Sequence, residues 1–158
     1  MHSYTAHVLW NRGDQVFVDS LYSRRYLITF DGGVTIPGSP SPHVVREPLS
    51  DPAAVDPEET FVASLSGCHM LWFLSLAAER GYRVDTYSDN PEGVIERNAQ
   101  RKLAVSSVTL HPVVIFSGDA VPDENEFLAL HEEAHGECFI ANSVKTQIRC
   151  EPVLQVAA

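Results

Sequence analysis

Cysteine is scarce in this 158-residue chain. Cys68, Cys138 and Cys150 form no CxxC pair and lie far apart. That spacing excludes a disulfide-stapled extracellular scaffold and favours free or redox-active thiols. Basic residues are also few: 11 Lys and Arg stand against 21 Asp and Glu, for a formal net charge of −10. With no basic run anywhere, neither nucleic acid nor an anionic membrane is expected as a main partner. The opening "MHSYTAHVLW" alternates like a strand and lacks a basic region followed by an apolar one. It does not read as a secretory signal, and a cytoplasmic location is expected. One stretch, "FVASLSGCHMLWFLSLAA" (61–78), lacks charge altogether. A membrane span needs about 20 apolar residues. This run holds Ser64, Ser66, Gly67, His69 and Ser75 and is bracketed by Glu58, Glu59, Glu79 and Arg80. It reads as a helix buried on nearly all sides, and so small a protein needs a partner subunit to cover it.

What is present is globular: 44% hydrophobic and 20% charged residues, in a chain long enough for one domain spanning 1–158. Alternation predicts strands at 3–11 and 15–20 joined at "RGD", and a third at 24–30 ending in "DGG". Six prolines between positions 37 and 57 then exclude regular structure. "DPEE" (56–59) starts a helix, with Asp56 as N-cap, Pro57 in the first turn and two dipole-favoured acids, and Gly81 ends it. Residues 82–97 and 102–116 read as a meander of strands. A second helix covers "PDENEFLALHEEAHGEC", a short turn follows at "FIANS", and "VKTQIRCEPVLQV" is a last strand. The order of elements is that of an α+β fold.

"HEEAH" (131–135) matches the His-Glu-x-x-His pattern of zinc proteases, in which both histidines share one helical face. A third ligand is missing: no histidine follows His135, Glu137 is too close along the helix, and Glu151 falls on a strand. The expectation is an exposed acidic face with two surface histidines, His131 and His135, and no metal or other cofactor.

The thiols carry the stronger signal. "DPEETFVASLSGCHM" resembles the first signature of the OsmC/Ohr family, the osmotically inducible and organic-hydroperoxide-resistance proteins. "AHGECFIANSV" resembles the second, and "YSRRYLITFDGG" the N-terminal strand that carries an arginine. The resemblance spans nearly the whole chain in order, within a less characterised branch. It implies an intertwined α+β homodimer with active sites at the subunit interface. It also implies a thiol-dependent peroxidase acting on hydroperoxides, with a dithiol reductant whose identity the sequence does not name. By the same resemblance Cys68 is the peroxidatic thiol, Cys138 the resolving thiol, Glu58 the acid partner and Arg24 the guanidinium. Strand alternation favours Arg24 over Arg25, because Arg24, Tyr26 and Ile28 share one face. Cys150 receives no role, and His69 reads as packing or interface. The alternative function is a redox sensor or small-ligand binder that keeps the fold without turnover.

The chemistry explains why these residue types belong together. A thiolate attacks the O–O bond, and a free thiol of pKa about 8.5 is only about 3% ionised at pH 7. One guanidinium at about 4 Å supplies roughly 4 kcal/mol at an effective dielectric near 20, worth about three pKa units. An acid can hold that arginine by a bidentate pair. The sulfenic acid left by the attack over-oxidises unless a second thiol condenses with it. Glu58 and Cys68 are ten residues apart, about 15 Å of helical rise, so the acid does not reach the thiol along one straight helix. Either the "DPEE" turn bends away from the helix axis, or Arg24 and Glu58 approach Cys68 from a second chain; an obligate homodimer whose sites include residues of both chains is expected.

Overall fold

Two capping boxes begin the two long helices of the computed structural model, which describes residues 2–157. In the first, the Asp56 carboxylate accepts the Glu59 N–H at 2.7 Å while Glu59 accepts the Asp56 N–H at 3.0 Å. Two orphan donors are thereby satisfied at the start of α1 (Pro57–Glu79). Asp123 and Glu126 repeat the arrangement at α2 (Glu124–Glu137). Gly81, at φ +79°, ends α1 with its N–H on the Ala78 carbonyl, as the glycine predicts.

The chain divides into two compact units, residues 1–60 and 61–158, and α1 continues through the division. The N-terminal unit is an antiparallel sheet in the order β1 (Ala6–Leu9), β2 (Tyr26–Phe30), β3 (Thr35–Gly38). Residues 15–20, expected as a strand, form none. Their alternation is real, but Phe17 stacks on Tyr22 at 4.7 Å and meets Trp10 at 5.7 Å, which pins the segment as a loop. Ser20 sits at φ +62°, a value no strand adopts. Pro37 lies within β3 rather than in irregular chain. An edge strand tolerates a residue that cannot donate. Gly38 pairs with Tyr26, whose ring lies where a Cβ would stand, 2.4 Å from its ideal position.

The second unit carries β4 (Arg83–Ser88), β5 (Glu92–Arg97), β6 (Leu103–Leu110), β7 (Val113–Ser117), α2, a 3-10 turn (Ala141–Ser143), β8 (Gln147–Cys150) and β9 (Val153–Val156). The four strands after α1 form where expected but divide between two sheets, β4-β7-β9 and β5-β6-β8. The expected single last strand is two. Parallel pairing joins Leu110 to Cys150 and Val113 to Val153. The offset is 40 residues in both, 150 − 110 and 153 − 113, so β6–β7 and β8–β9 are one ladder broken at Pro112 and Pro152. Asp89, between β4 and β5, accepts the His111 N–H at 2.7 Å at this break.

Helix α1 lies across both sheets of this unit. Leu65 packs with Val108 and Leu110, and Phe73, Leu76 and Ala77 pack with Val114, Phe116, Phe127 and Leu130. Leu65, His69 and Phe73 form the buried stripe at four-residue spacing. The opposite side carries Ala63, Ser64, Leu71 and Ser75, all exposed, so within one chain α1 is covered on one side only.

Candidate functional site

Cys68 sits mid-helix and half-buried on α1, and Cys138 is the buried residue that ends α2. Cys138 takes extended backbone (φ −65°, ψ 111°), which turns the chain out of the helix. The Cys138 thiol accepts the Ala141 N–H at 3.4 Å. Burial, and then the adjoining Cys68 thiol, push the Cys138 thiol up to about 11, although the Ala141 and Ile140 N–H groups pull the other way. The two thiols are thus neighbours despite 138 − 68 = 70 residues between them. One helical turn beyond Cys68, Trp72 meets the exposed ring of Phe139 edge-on at 5.7 Å, leaving an aromatic flank beside the pair. A free, reachable thiol against a buried protonated one is a geometry for disulfide formation.

Arg24 and Glu58 belong to the N-terminal unit. The alternation argument holds: Arg24, Tyr26 and Ile28 line one cleft, while Arg25 lies apart from it and pairs with Asp51 at 3.1 Å. The Arg24 guanidinium donates to the Tyr22 and Ser20 carbonyls at 3.1 and 3.2 Å and stacks over the Tyr22 ring. Among the described residues it forms no ion pair with Glu58. Glu58 acts instead on Tyr26, whose hydroxyl is raised by burial and then by the Glu58 and Asp56 carboxylates. The cleft measures about 640 Å³, and its walls include Trp10, Phe17 and Tyr22. It is an aromatic slot with one cation, sized for a small organic molecule.

A second constellation was not foreseen. His131, expected on the surface, is buried, and only His135 of the pair is exposed. The reason is visible in α2: His131 lies in the stripe Phe127, Leu130, Ala134, whereas His135 lies outside it. His131 stacks on Phe73 at 4.2 Å and meets Phe127 edge-on. Its Nδ1 is 2.9 Å from His69 Nε2, and Cys150 Sγ is 3.6 Å from the former and 3.9 Å from the latter. Burial lowers His69 to about 4 and His131 to about 3, so both rings are neutral near pH 7. Burial, and then Asp89 and Glu151, push the Cys150 thiol up to about 12. Asp89 itself accepts the Ser66 hydroxyl at 2.5 Å. His69 Nδ1, His131 Nε2 and the Tyr87 hydroxyl are buried with no protein partner among the described residues. The strand alternation of "QIRC", which sends Ile148 and Cys150 inward, was the available signal for the third member.

The sequence matches the OsmC-like protein family over residues 50–152. The fold is similar to an OsmC-like protein of unknown function from Vibrio cholerae: 48% identity, 97% of this chain and 100% of that one, TM-score 0.95. It is also similar to an organic hydroperoxide resistance protein from Legionella pneumophila (13% identity, 99% and 98% of the two chains, TM-score 0.65). The organic hydroperoxide resistance protein OhrB of Bacillus subtilis aligns at 16% identity over 98% of each chain, with TM-score 0.59. At those two identities the likeness is one of fold. No curated protein matches the sequence.

Proposed function

The chain belongs to the OsmC family, and on that premise we propose that it reduces organic hydroperoxides through Cys68 and Cys138. The observation that carries this reading is the half-buried Cys68 beside a buried Cys138 that burial keeps protonated. The Cys68 thiolate attacks the distal peroxide oxygen, the O–O bond breaks, and the alkoxide leaves and takes a proton as alcohol. The sulfenic acid on Cys68 then condenses with the Cys138 thiol, forming the disulfide and releasing water. A dithiol reductant returns both thiols and is itself oxidised to a disulfide. The Trp72–Phe139 flank supports an organic rather than a purely aqueous substrate. Arg24 and Glu58 are carried into this proposal by family resemblance, as activating cation and its acid.

The test is steady-state peroxide consumption with several hydroperoxides and dithiols. Cys68→Ser is expected to abolish consumption. Cys138→Ser is expected to consume about one equivalent per chain and then stop or over-oxidise. Normal turnover by Cys68→Ser would remove the assignment. Stoichiometric oxidation of the wild type with no turnover under any dithiol would favour a redox sensor. The proposal includes a homodimer, supported by the uncovered side of α1, where Leu71 is 65% accessible. A monomer in sedimentation at assay concentration would refute that part.

A further inference from the structure

The cluster of the buried His69 and His131 with the half-buried Cys150 has no part in the peroxide chemistry above. Its three potential donor atoms lie within 4.8 Å of one another. They come from α1, α2 and β8, so only the assembled unit brings them together. A tetrahedral zinc site, with Zn–N of 2.0–2.1 Å and Zn–S of 2.3 Å, needs about 3.3 Å between nitrogens and about 3.6 Å between nitrogen and sulfur. The observed nitrogen–sulfur separations, 3.6 and 3.9 Å, already match that span. The nitrogen–nitrogen separation of 2.9 Å has to open by only a few tenths of an ångström. Two imidazoles with one thiolate suit borderline divalent ions such as zinc, and not magnesium or calcium, which take oxygen.

We propose that His69 Nε2, His131 Nδ1 and Cys150 Sγ bind one divalent transition metal ion of the zinc class. The ligand set differs from the one the HEEAH pattern implies: it uses His131 but replaces His135 by residues from α1 and β8. Three protein ligands leave a fourth position for water or for the buried, unpartnered Tyr87 hydroxyl. On binding, the thiol proton leaves to solvent and both facing nitrogens present lone pairs. Each ring then carries its proton on the outer nitrogen, and neither outer nitrogen has an acceptor among the described residues. Sites with such acceptors bind about 10–100-fold more tightly, so affinity here is moderate rather than extreme. The metal would tie α1 to α2 one residue from Cys68 and about two helical turns before Cys138 ends α2. The site does not rest on the peroxidase reading.

The experiment uses the full-length protein, reduced, stripped with a chelator and titrated with Co²⁺, followed by competition with Zn²⁺. One Co²⁺ per chain with a thiolate-to-cobalt charge-transfer band is expected, and one equivalent of Zn²⁺ should bleach it. Cys150→Ser should lose the band. His69→Gln and His131→Gln should weaken zinc binding by at least about 100-fold, more than the loss of an outer-shell partner. His135→Gln and Cys68→Ser should keep both band and stoichiometry. Because wild-type protein carries the primary readout, misfolding of a variant leaves the test intact. Absence of a thiolate band in the wild type, or its loss in Cys68→Ser but not in Cys150→Ser, would overturn the proposal.

Discussion

Alkylation of the three cysteines in native, metal-free protein should follow a definite order. The perturbation is iodoacetamide at pH 7, which reacts with thiolates. From an ordinary value of 9.0, Cys138 is pushed up to about 11 and Cys150 to about 12. Their thiolate fractions are then about 100-fold and about 1,000-fold below that of an ordinary thiol. A more basic thiolate is also a better nucleophile, with a Brønsted slope of about 0.4–0.5. That recovers about 8-fold for two units and about 20-fold for three. The net slowing is about 10-fold for Cys138 and about 50-fold for Cys150 from ionisation alone. Access slows Cys138 further, since it is 1% exposed and labels only after local opening. Cys68, half-buried at the middle of α1, should label first. Peptide mass spectrometry over a time course reads each site separately. Labelling of Cys138 at the rate of free cysteine, in protein shown to be folded, would refute the reasoning and remove the role proposed for it as the protonated resolving thiol.

Two further outcomes follow from the packing. In chelator-treated protein, stability to urea should be flat above about pH 6.5 and fall as pH drops toward 4. His69 and His131 have folded pKa values below the unfolded one, so the unfolded chain binds protons first. At pH 5 the loss is about 2 kcal/mol for each ring that stays neutral. An unchanged midpoint between pH 7 and 5 would sink this account. Gly38→Ala should cost about 1–3 kcal/mol, because the added Cβ lands 2.4 Å from the Tyr26 ring on the neighbouring strand. Unaltered thermal stability would show that the ring moves freely.

Local chemistry was readable from the chain. The Asp56 start and the Gly81 stop of α1, the β-branched runs and the Arg24/Arg25 alternation all depend on neighbours in sequence, and each appears where its residue types require. Residues 15–20 were not readable because Val16 and Val18 alternate as in any strand. What decides the outcome is Trp10 and Tyr22, which close an aromatic cluster around Phe17. The pairing of β4 with β7, past the β5–β6 hairpin, is likewise non-local. The family signatures pointed to Cys68 and Cys138, and the two thiols are neighbours. His131 was misread because the HEEAH pattern treats its two histidines as equivalent, although the stripe through Phe127, Leu130 and Ala134 separates them. The approach of Cys150 to His69 spans 81 residues, and no pattern in the chain encodes it.

The parallel ladder of β6–β7 with β8–β9 also sets an order of events during folding. The β5–β6 hairpin closes over a few residues, whereas Leu110 meets Cys150 only after the chain has looped through 40. Closure of the longer loop costs more entropy and comes later. Until the C-terminal strands dock, Cys150 is absent from its place beside the paired histidines, while Cys68 and Cys138 are already carried on their two helices. A nascent chain halted before residue 147 therefore holds both Cys68 and Cys138 but lacks the third point of the His69, His131 and Cys150 triad. Docking is also sensitive to a slip of one residue, which would turn Cys150 outward and drive the Glu151 carboxylate toward two neutral imidazoles. Residues 147–156 act as a late proofreading step for the interior they close.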